Sequence, residues 1–420
     1  MLDTDSFQIL LERLFSEIPN KSELQKKAWQ VFQKLGLPTK KQEDFQKIPL
    51  AKLYEKNQLS FSRGCQSGDY FDKILPGFSE KNLFLQDGNF QSSSLKSLPE
   101  EVVVLPLEKA RDPYGFFLQS EWKKKVLREK DPFTFLNEAF GSQGVFLYFP
   151  DNLGKLSLQV IHLFTQPCFS SPKLQLMVGK NTEVTLYEAF HFAKEAQNFF
   201  CNASLEVHLQ SAAKVDHKKI VASSSGKILS HISAHLEEQS DFSSFALNDS
   251  SSLLKNRYSL YLTKENANVS LEGLSLVAEK DFSETQVEMH HQSPNTTSHQ
   301  NFKTAIKDQG TFSFNGLIQI ESAAQKTNAY QLVKSLLMGE KAVSFAKPQL
   351  KIFADDVKAS HGATIGKLSK DELFYLQTRG IAKEKAAYLL TLAFMQELKS
   401  KAGLYSPNFD QILQKWICDR

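Results

Sequence analysis

The sequence predicts a mainly β protein with a helical unit at each end. Three observations carry this. From about Gly154, segments rich in β-branched and aromatic residues follow one another for nearly two hundred positions, many alternating apolar and polar with the period of two expected of half-buried strands. Residues 5–36 instead place apolar side chains at helical spacing, and so does the stretch from about Lys383 to Lys401. At 420 residues the chain exceeds one ordinary domain, so two or three units are expected.

Taken in order, Phe7, Leu10, Leu11, Leu14 and Phe15 form the apolar stripe of a first helix. Ser22 with Gln25 caps a second, whose stripe is Leu24, Ala28, Val31, Phe32 and Leu35; Gly36 and Pro38 end it. Val102–Leu105 reads as a short buried strand and Asp112-Pro113-Tyr114 as a turn. Asp131–Ala139 reads as a helix with Pro132 near its start. The β region includes Leu156–Phe164, Glu183–Phe190, Leu205–Val215, Asn268–Val277 and Thr311–Ile320. Turn-forming Asn181, Asn266 and Gly310 precede three of these strands. Short recurring strands suit a sandwich, a barrel or a solenoid, and their uneven spacing does not choose among the three.

The stretch Asp355–Phe394 joins two textures. Up to Gly366 it is small, β-leaning and punctuated by glycine, with a single His361. Beyond it, Ser369 three before Glu372 reads as a capping box, and Gly380 as the stop of a short helix. In the longer helix that follows, Leu389, Leu390, Ala393, Phe394 and Leu398 share one face.

The run SHGATIGKLSKDELFYLQTRGIA, from Ser360, resembles the signature of the SufB/SufD family of iron–sulfur cluster assembly proteins. The pair His361-Gly362, followed by Phe374-Tyr375-Leu376 and Arg379-Gly380-Ile381, is similar to the SufD branch; the SufB branch usually carries Glu at the position of Gly362. Ala323–Tyr330, Leu336, Leu337 and Lys347-Pro348-Gln349-Leu350 resemble the family's preceding segment. Gly36-Leu37-Pro38-Thr39-Lys40 with Glu43 resembles an N-terminal motif of that branch, with Phe45 where many members have Trp. The middle, from about Phe61 to Phe302, matches loosely.

The resemblance implies a right-handed parallel β-helix, with the 33 phenylalanines stacked coil on coil, flanked by N-terminal and C-terminal helical units. The expected units are 1–65 (helical), 66–150 (mixed α/β lead-in), 151–366 (β-helix core) and 367–420 (helical). It further implies a non-enzymatic scaffold that pairs with a SufB-type subunit through Lys358, Ser360 and Gly362. A SufC-type ABC ATPase would dock on the last unit at Phe374, Tyr375, Arg379 and Gly380. His361 would face the partner's cysteine where a transient iron–sulfur cluster forms, with no cofactor tightly bound; a homodimer in isolation is compatible with this. Imidazole with thiolate is a known mixed ligand set. Many members place Cys two residues before this His; here it is Ala359, so sulfur ligation is expected from the partner or from sulfide.

Without the resemblance, a lone His among small residues reads as a hydrogen-bonded structural histidine. His290 and His291, adjacent in a strand, are expected to point to opposite faces and so to be poor joint metal ligands, even with Glu288 and His299 nearby. His231 and His235 read as solvated polar positions, and the run Lys123-Lys124-Lys125 as a solvated face. A net charge of +3 argues against nucleic acid. The four cysteines, Cys65, Cys168, Cys201 and Cys418, form no Cys-x-x-Cys pair, which argues against a disulfide framework or a self-contained zinc site. The N-terminus lacks the features of a secretory signal, and no run of about 18 apolar residues suggests a membrane span. The cytoplasm is the expected compartment. No Gly-Lys-Ser/Thr phosphate loop or nucleophile elbow is present, so ATP hydrolysis is assigned to the partner. Two alternatives remain open at this level: a SufB-type cluster-carrying scaffold, and a solitary β-helix carbohydrate-active enzyme.

Overall fold

The computed structural model describes residues 4–55, 59–61, 70–141, 144–249 and 251–418, and Cys65 lies outside them. The alternating segments form a parallel β-solenoid of about eight turns. Each coil contributes one strand to each of two facing sheets. Strands such as Ser224–Leu236, Ser251–Leu262 and Phe282–His291 stack in the first sheet; Asp241–Asn248, Asn268–Val277 and Thr297–Ile306 stack in the second. The first sheet ends on Val343–Ile352 and the second on Val357–Gly366. At the opposite end the parallel stack is closed by antiparallel strands, Val103–Pro106 on one sheet and Asn89–Ser94 on the other.

The corners explain the uneven spacing. Asn152, Asn181, Ala212, Gln239, Asn266, Asn295 and Lys326 all adopt positive φ, between 54° and 62°. Each turns the chain between the two strands of its coil. Left-handed backbone suits Asn because its short amide bonds locally. The positions lie 27 to 31 residues apart, so the repeat varies by whole residues while the register of paired strands stays in step. The segment Leu205–Val215, expected as one strand, spans such a corner: Phe200–Leu209 ends, Ala212 turns and Lys214–Val221 begins.

Side chains alternate between the bore and the outer faces. Leu186, Leu271, Val269 and Val333 of the second sheet meet Leu260, Val287 and Ile318 of the first in the bore. Helices cover both outer faces. Thr4–Ser16 and Glu23–Leu35 pack with Pro132–Phe140 over Phe169, Phe200, Leu229 and Leu253 of the first sheet. The Ser22–Gln25 capping box is complete, and Gln25 also donates to the Ala139 carbonyl. In the second helix Trp29 is buried and stacks on Phe15 at 4.4 Å, while Leu35 of the expected stripe is exposed. Val103–Pro106 is a half-buried edge strand, not a fully buried one.

An ionic clamp holds the helix Gly115–Arg128 and the segment after it against the first sheet. Lys123 and Lys124 are exposed, as expected of a solvated face, but Lys125 is half-buried and pairs with Glu138 and Glu206; Lys173 also reaches Glu138, at 2.5 Å. Arg257 pairs with Glu129 at 2.6 Å and Glu288 at 3.1 Å. Burial alone would raise the Glu129 carboxyl, but the Arg257 guanidinium overrides it and holds the group at about 2. Beneath the helix, His208, His235, Tyr261 and His290 stack ring on ring, 4.7–5.1 Å apart, one per coil. Burial lowers His208 to about 4 and His235 to about 3.

Two outcomes follow. Asn266→Val should lower stability by about 1–2 kcal/mol, the cost of a left-handed residue with a branched Cβ, while Asn266→Gly should be nearly neutral; urea unfolding reads both. The stacked histidines are neutral when folded but accept protons when unfolded, so stability should fall as pH drops through 6.5 toward 4. His235→Phe should flatten that slope by at most about 1.4 kcal/mol per pH unit, read from thermal melts between pH 7 and 4.5.

Candidate functional site

The C-terminal end of the solenoid is open. Most residues of Val343–Ile352 and Val357–Gly366 are exposed or half-buried, whereas their predecessors Thr311–Ile320 and Thr327–Leu337 are mostly buried. Val343, Phe345, Ile352, Phe353 and Ile365 are among the exposed large apolar side chains of the molecule. An exposed strand edge carrying apolar side chains is a surface built to be covered.

Two motif stretches far apart in sequence meet beside this end. Glu43 pairs with Lys347, Asn315 donates to Asp44 at 3.2 Å, and the Lys47 ammonium lies 4.2 Å from the Phe345 ring centre. Tyr54 donates to the Pro38 carbonyl at 2.7 Å, which ties the Gly-Leu-Pro turn to the helical unit.

His361 lies on the last strand, directly over Gln331, which in turn lies over Gln300. Val357 and Ala359 of this strand pack on the bore, so alternation turns His361 the same way, into the open mouth. Lys358, Ser360 and Gly362 take the outer face of the sheet, in register with Asn328, Tyr330 and Leu332. The strand thus brings the four predicted interface residues to one edge but divides them between two faces. Gly362 is half-buried, and a Cβ there would stand 3.3 Å from Leu332 Cδ1, a tight fit. Two residues were missed from the sequence: Gln331, 2% exposed, and Gln300, fully buried, extend the inward column beneath His361. Their signal is an inward polar residue at the same register in successive coils, which becomes visible once the coil length is known.

Among the described residues no group of three or more His, Cys, Asp or Glu side chains could hold a metal ion. Cys168 and Cys201 are buried on early coils, many strands from His361. Burial raises the Cys201 thiol far above its ordinary range. Among the described residues the open end thus presents one imidazole and no metal-ligand set of its own.

Beyond Gly366, Lys370–Thr378 forms a short helix with no buried residue; Ser369 caps it by accepting from the Glu372 backbone. Phe374 and Tyr375 are 68% and 57% exposed, the Arg379 guanidinium lies 5.2 Å from the Tyr375 ring centre, and Gly380 turns at φ 81°. The four predicted docking residues are thus gathered on one exposed helix and its stop. The expected long helix is Lys383–Gln396, followed by an irregular turn and a further helix, Ser406–Cys418. Its buried residues are Ala386, Thr391 and Met395, so the expected face is corrected; of the predicted stripe only Leu398 is buried, and Ala393 is exposed. A helix apolar nearly all round offers two faces, and packing against the second sheet selects between them. Phe409, Leu413 and Trp416 press on Phe245, Leu247, Leu274 and Leu276 of that sheet, and Lys303 and Lys307 donate to the Phe394 and Trp416 carbonyls.

The other histidines serve the architecture. His290 and His291 point to opposite faces, the first into the outer ring stack and the second into the bore, where it bonds Thr296 and Ser298. His231 and His235, expected to be solvated, are covered by the helices Gly115–Arg128 and Pro132–Phe140; His231 bonds Thr134 and Ser259. Within the bore, His162 and His217 both bond Glu188 at 3.1 Å, and the Glu188 carboxyl is held below its usual range: burial opposes ionisation and the two imidazoles outweigh it.

Fold and site together define a class: a parallel β-solenoid open at one end, with a histidine in its mouth and an uncovered aromatic helix beside it. Residues 164–394 match the family described as "SUF system FeS cluster assembly, SufBD core domain", and residues 10–159 match "SufBD protein N-terminal region". The chain belongs to the SufB/SufD family. It is 33% identical to the iron–sulfur cluster assembly protein SufD of Escherichia coli over 229 residues, 53% of each chain. Over 290 residues it is 30% identical to a SufBD family iron–sulfur cluster assembly protein of Synechocystis, covering 65% of this chain and 63% of that one. Against SufD of Bacillus subtilis identity reaches 42% over 90 residues, 21% of each. The matched stretch thus spans about half the length of the E. coli relative.

Because Phe374 and Tyr375 are exposed, Phe374→Ser and Tyr375→Ser should each change folding stability by no more than about 0.5 kcal/mol, read from urea unfolding. A larger loss would assign the residue to packing.

Proposed function

We propose that this chain is a non-enzymatic scaffold subunit of a SUF iron–sulfur cluster assembly complex. The observation that carries this is the uncovered solenoid end with His361 turned into its mouth. Its two unpaired strand edges continue into a like end of a SufB-type subunit, because a strand edge is satisfied by another strand. Iron and sulfide are the substrates gathered there. His361 offers one imidazole nitrogen, and thiolate comes from the partner, in keeping with the distance of the buried Cys168 and Cys201 and with Ala359 two residues before His361. The SufC-type ATPase docks on Lys370–Thr378 through Phe374 and Tyr375. Its closure is transmitted to the solenoid as a rigid-body movement, through the helices packed on the second sheet. No helix among the described residues is long and apolar enough to cross a membrane, and the working compartment in this reading is the cytoplasm.

The experiment is co-expression with SufB-type and SufC-type proteins. Truncation after Gly366 is unsuitable, since it strips Phe409, Leu413 and Trp416 from the sheet, about 1.5–3 kcal/mol for each fully buried side chain. Phe374→Ser with Tyr375→Ser is used instead. The wild-type chain should bring down both partners, the double variant only the SufB-type subunit, and His361→Ala both partners with cluster formation lost. A folded wild-type chain that elutes alone defeats the scaffold reading. Full cluster formation by His361→Ala removes His361 from it.

A further inference from the structure

The inward column beneath His361 has a direction. Gln331 Nε2 donates to Gln300 Oε1 at 2.7 Å, which makes a two-rung carboxamide ladder across consecutive coils. In such a ladder each amide gives its hydrogen to one neighbour and offers its oxygen to the next rung. The two ends left over agree with this sense. Gln300 Nε2 is an unpartnered donor on the side of Leu271, and Gln331 Oε1 is an unpartnered acceptor, both among the described residues. The rung next to Gln331 is His361. Gly316 on the facing strand makes room for the arrangement, since a Cβ there would stand 2.4 Å from Gln331 Nε2. A buried carbonyl oxygen left without a donor costs about 1–3 kcal/mol. The candidate donor beside it is an imidazole on an exposed strand, one strand spacing of about 4.8 Å away and free of tight packing.

We propose that Gln331 is a positioning residue for His361: its carboxamide oxygen accepts one imidazole N–H, which fixes the tautomer and turns the other ring nitrogen, bare, toward the open end. This deepens the reading of His361 as a ligand group and rests on it. A ligating histidine whose second nitrogen is held by a carbonyl or carboxylate gains both orientation and basicity. His361 lacks a carboxylate neighbour in its own column, and the amide ladder takes that part.

The test uses the full chain with 15N-labelled histidine. The ring nitrogens of His361 are assigned by their disappearance in His361→Asn, and their shifts report the tautomer. In the wild type one tautomer should dominate. Gln331→Met keeps the shape but removes the acceptor, and should move the shifts toward a mixture. Gln331→Glu restores the acceptor and should restore a single donor nitrogen. Gly316→Ala, which displaces the amide without removing it, should reproduce the effect of Gln331→Met. In the assembled complex, cluster formation should fall about 10-fold in Gln331→Met and recover in Gln331→Glu. Identical His361 shifts in the wild type and Gln331→Met overturn the proposal. Should Gln331→Met not fold, unchanged shifts in Gly316→Ala overturn it equally, because displacing the amide must break its contact with the imidazole. If His361→Ala assembles clusters normally while Gln331→Met moves the shifts, the ligand reading fails and the contact stands. If His361→Ala abolishes assembly and the Gln331→Met shifts do not move, the reverse holds.

Discussion

Every coil of this molecule leaves two strand edges that only the next coil can satisfy. Parallel pairing in register is the constraint on which the rest depends. It explains the corner residues, since a coil may gain or lose residues only where the chain turns and must return to the same register. It explains the bore, where successive inward positions stack into columns. It also explains why the two ends differ. At the start, antiparallel strands and helices take up the edges and the first outer face. At the finish, the last two strands keep theirs.

Charge is used inside the structure in two distinct ways. On the outer face of the first sheet, buried pairs such as Arg257–Glu129 and Lys125–Glu206 fix the helical segments at one place along a surface that would otherwise repeat every coil. A purely apolar contact with a periodic sheet could slip by one rung; a buried cation with one matching carboxylate cannot do so without leaving a charge unpaired. In the bore, the His162–Glu188–His217 set satisfies its carboxylate within the early coils. Further along, the neutral amides Gln300 and Gln331 take inward positions on consecutive coils, in register with His361 in the mouth.

The open end is assembled from three places. The last strands provide the edge and His361. The N-terminal turn, through Glu43, Asp44 and Lys47, reaches Lys347, Asn315 and Phe345 beside it. The C-terminal helices lie on the second sheet and leave Lys370–Thr378 uncovered. The motif stretches, scattered over the chain, thus meet in one region of the molecule.

Much of this was legible before any coordinates. Period-two alternation placed Asn268–Val277 and Thr311–Ile320 to the residue, because a strand buried on its inner face must alternate. Ser22, Gln25, Asp131, Ser369 and Gly380 marked helix ends because orphan backbone groups need particular side chains or a left-handed turn. Other features depended on neighbours far away in sequence. Lys125 and His235 are polar by composition and were expected in solvent, yet helices and sheets that meet only in the folded chain enclose them. The buried face of Lys383–Gln396 was ambiguous, because its residues are apolar on more than one side and the sheet made the choice. Gln331 had no local mark at all. By itself the sequence determined which segments are strands and where several helices begin and end, since these follow from side-chain period and backbone conformation. The tertiary structure alone decided which residues lie one rung apart, because coils of 27 to 31 residues place contacts by register and not by distance along the chain.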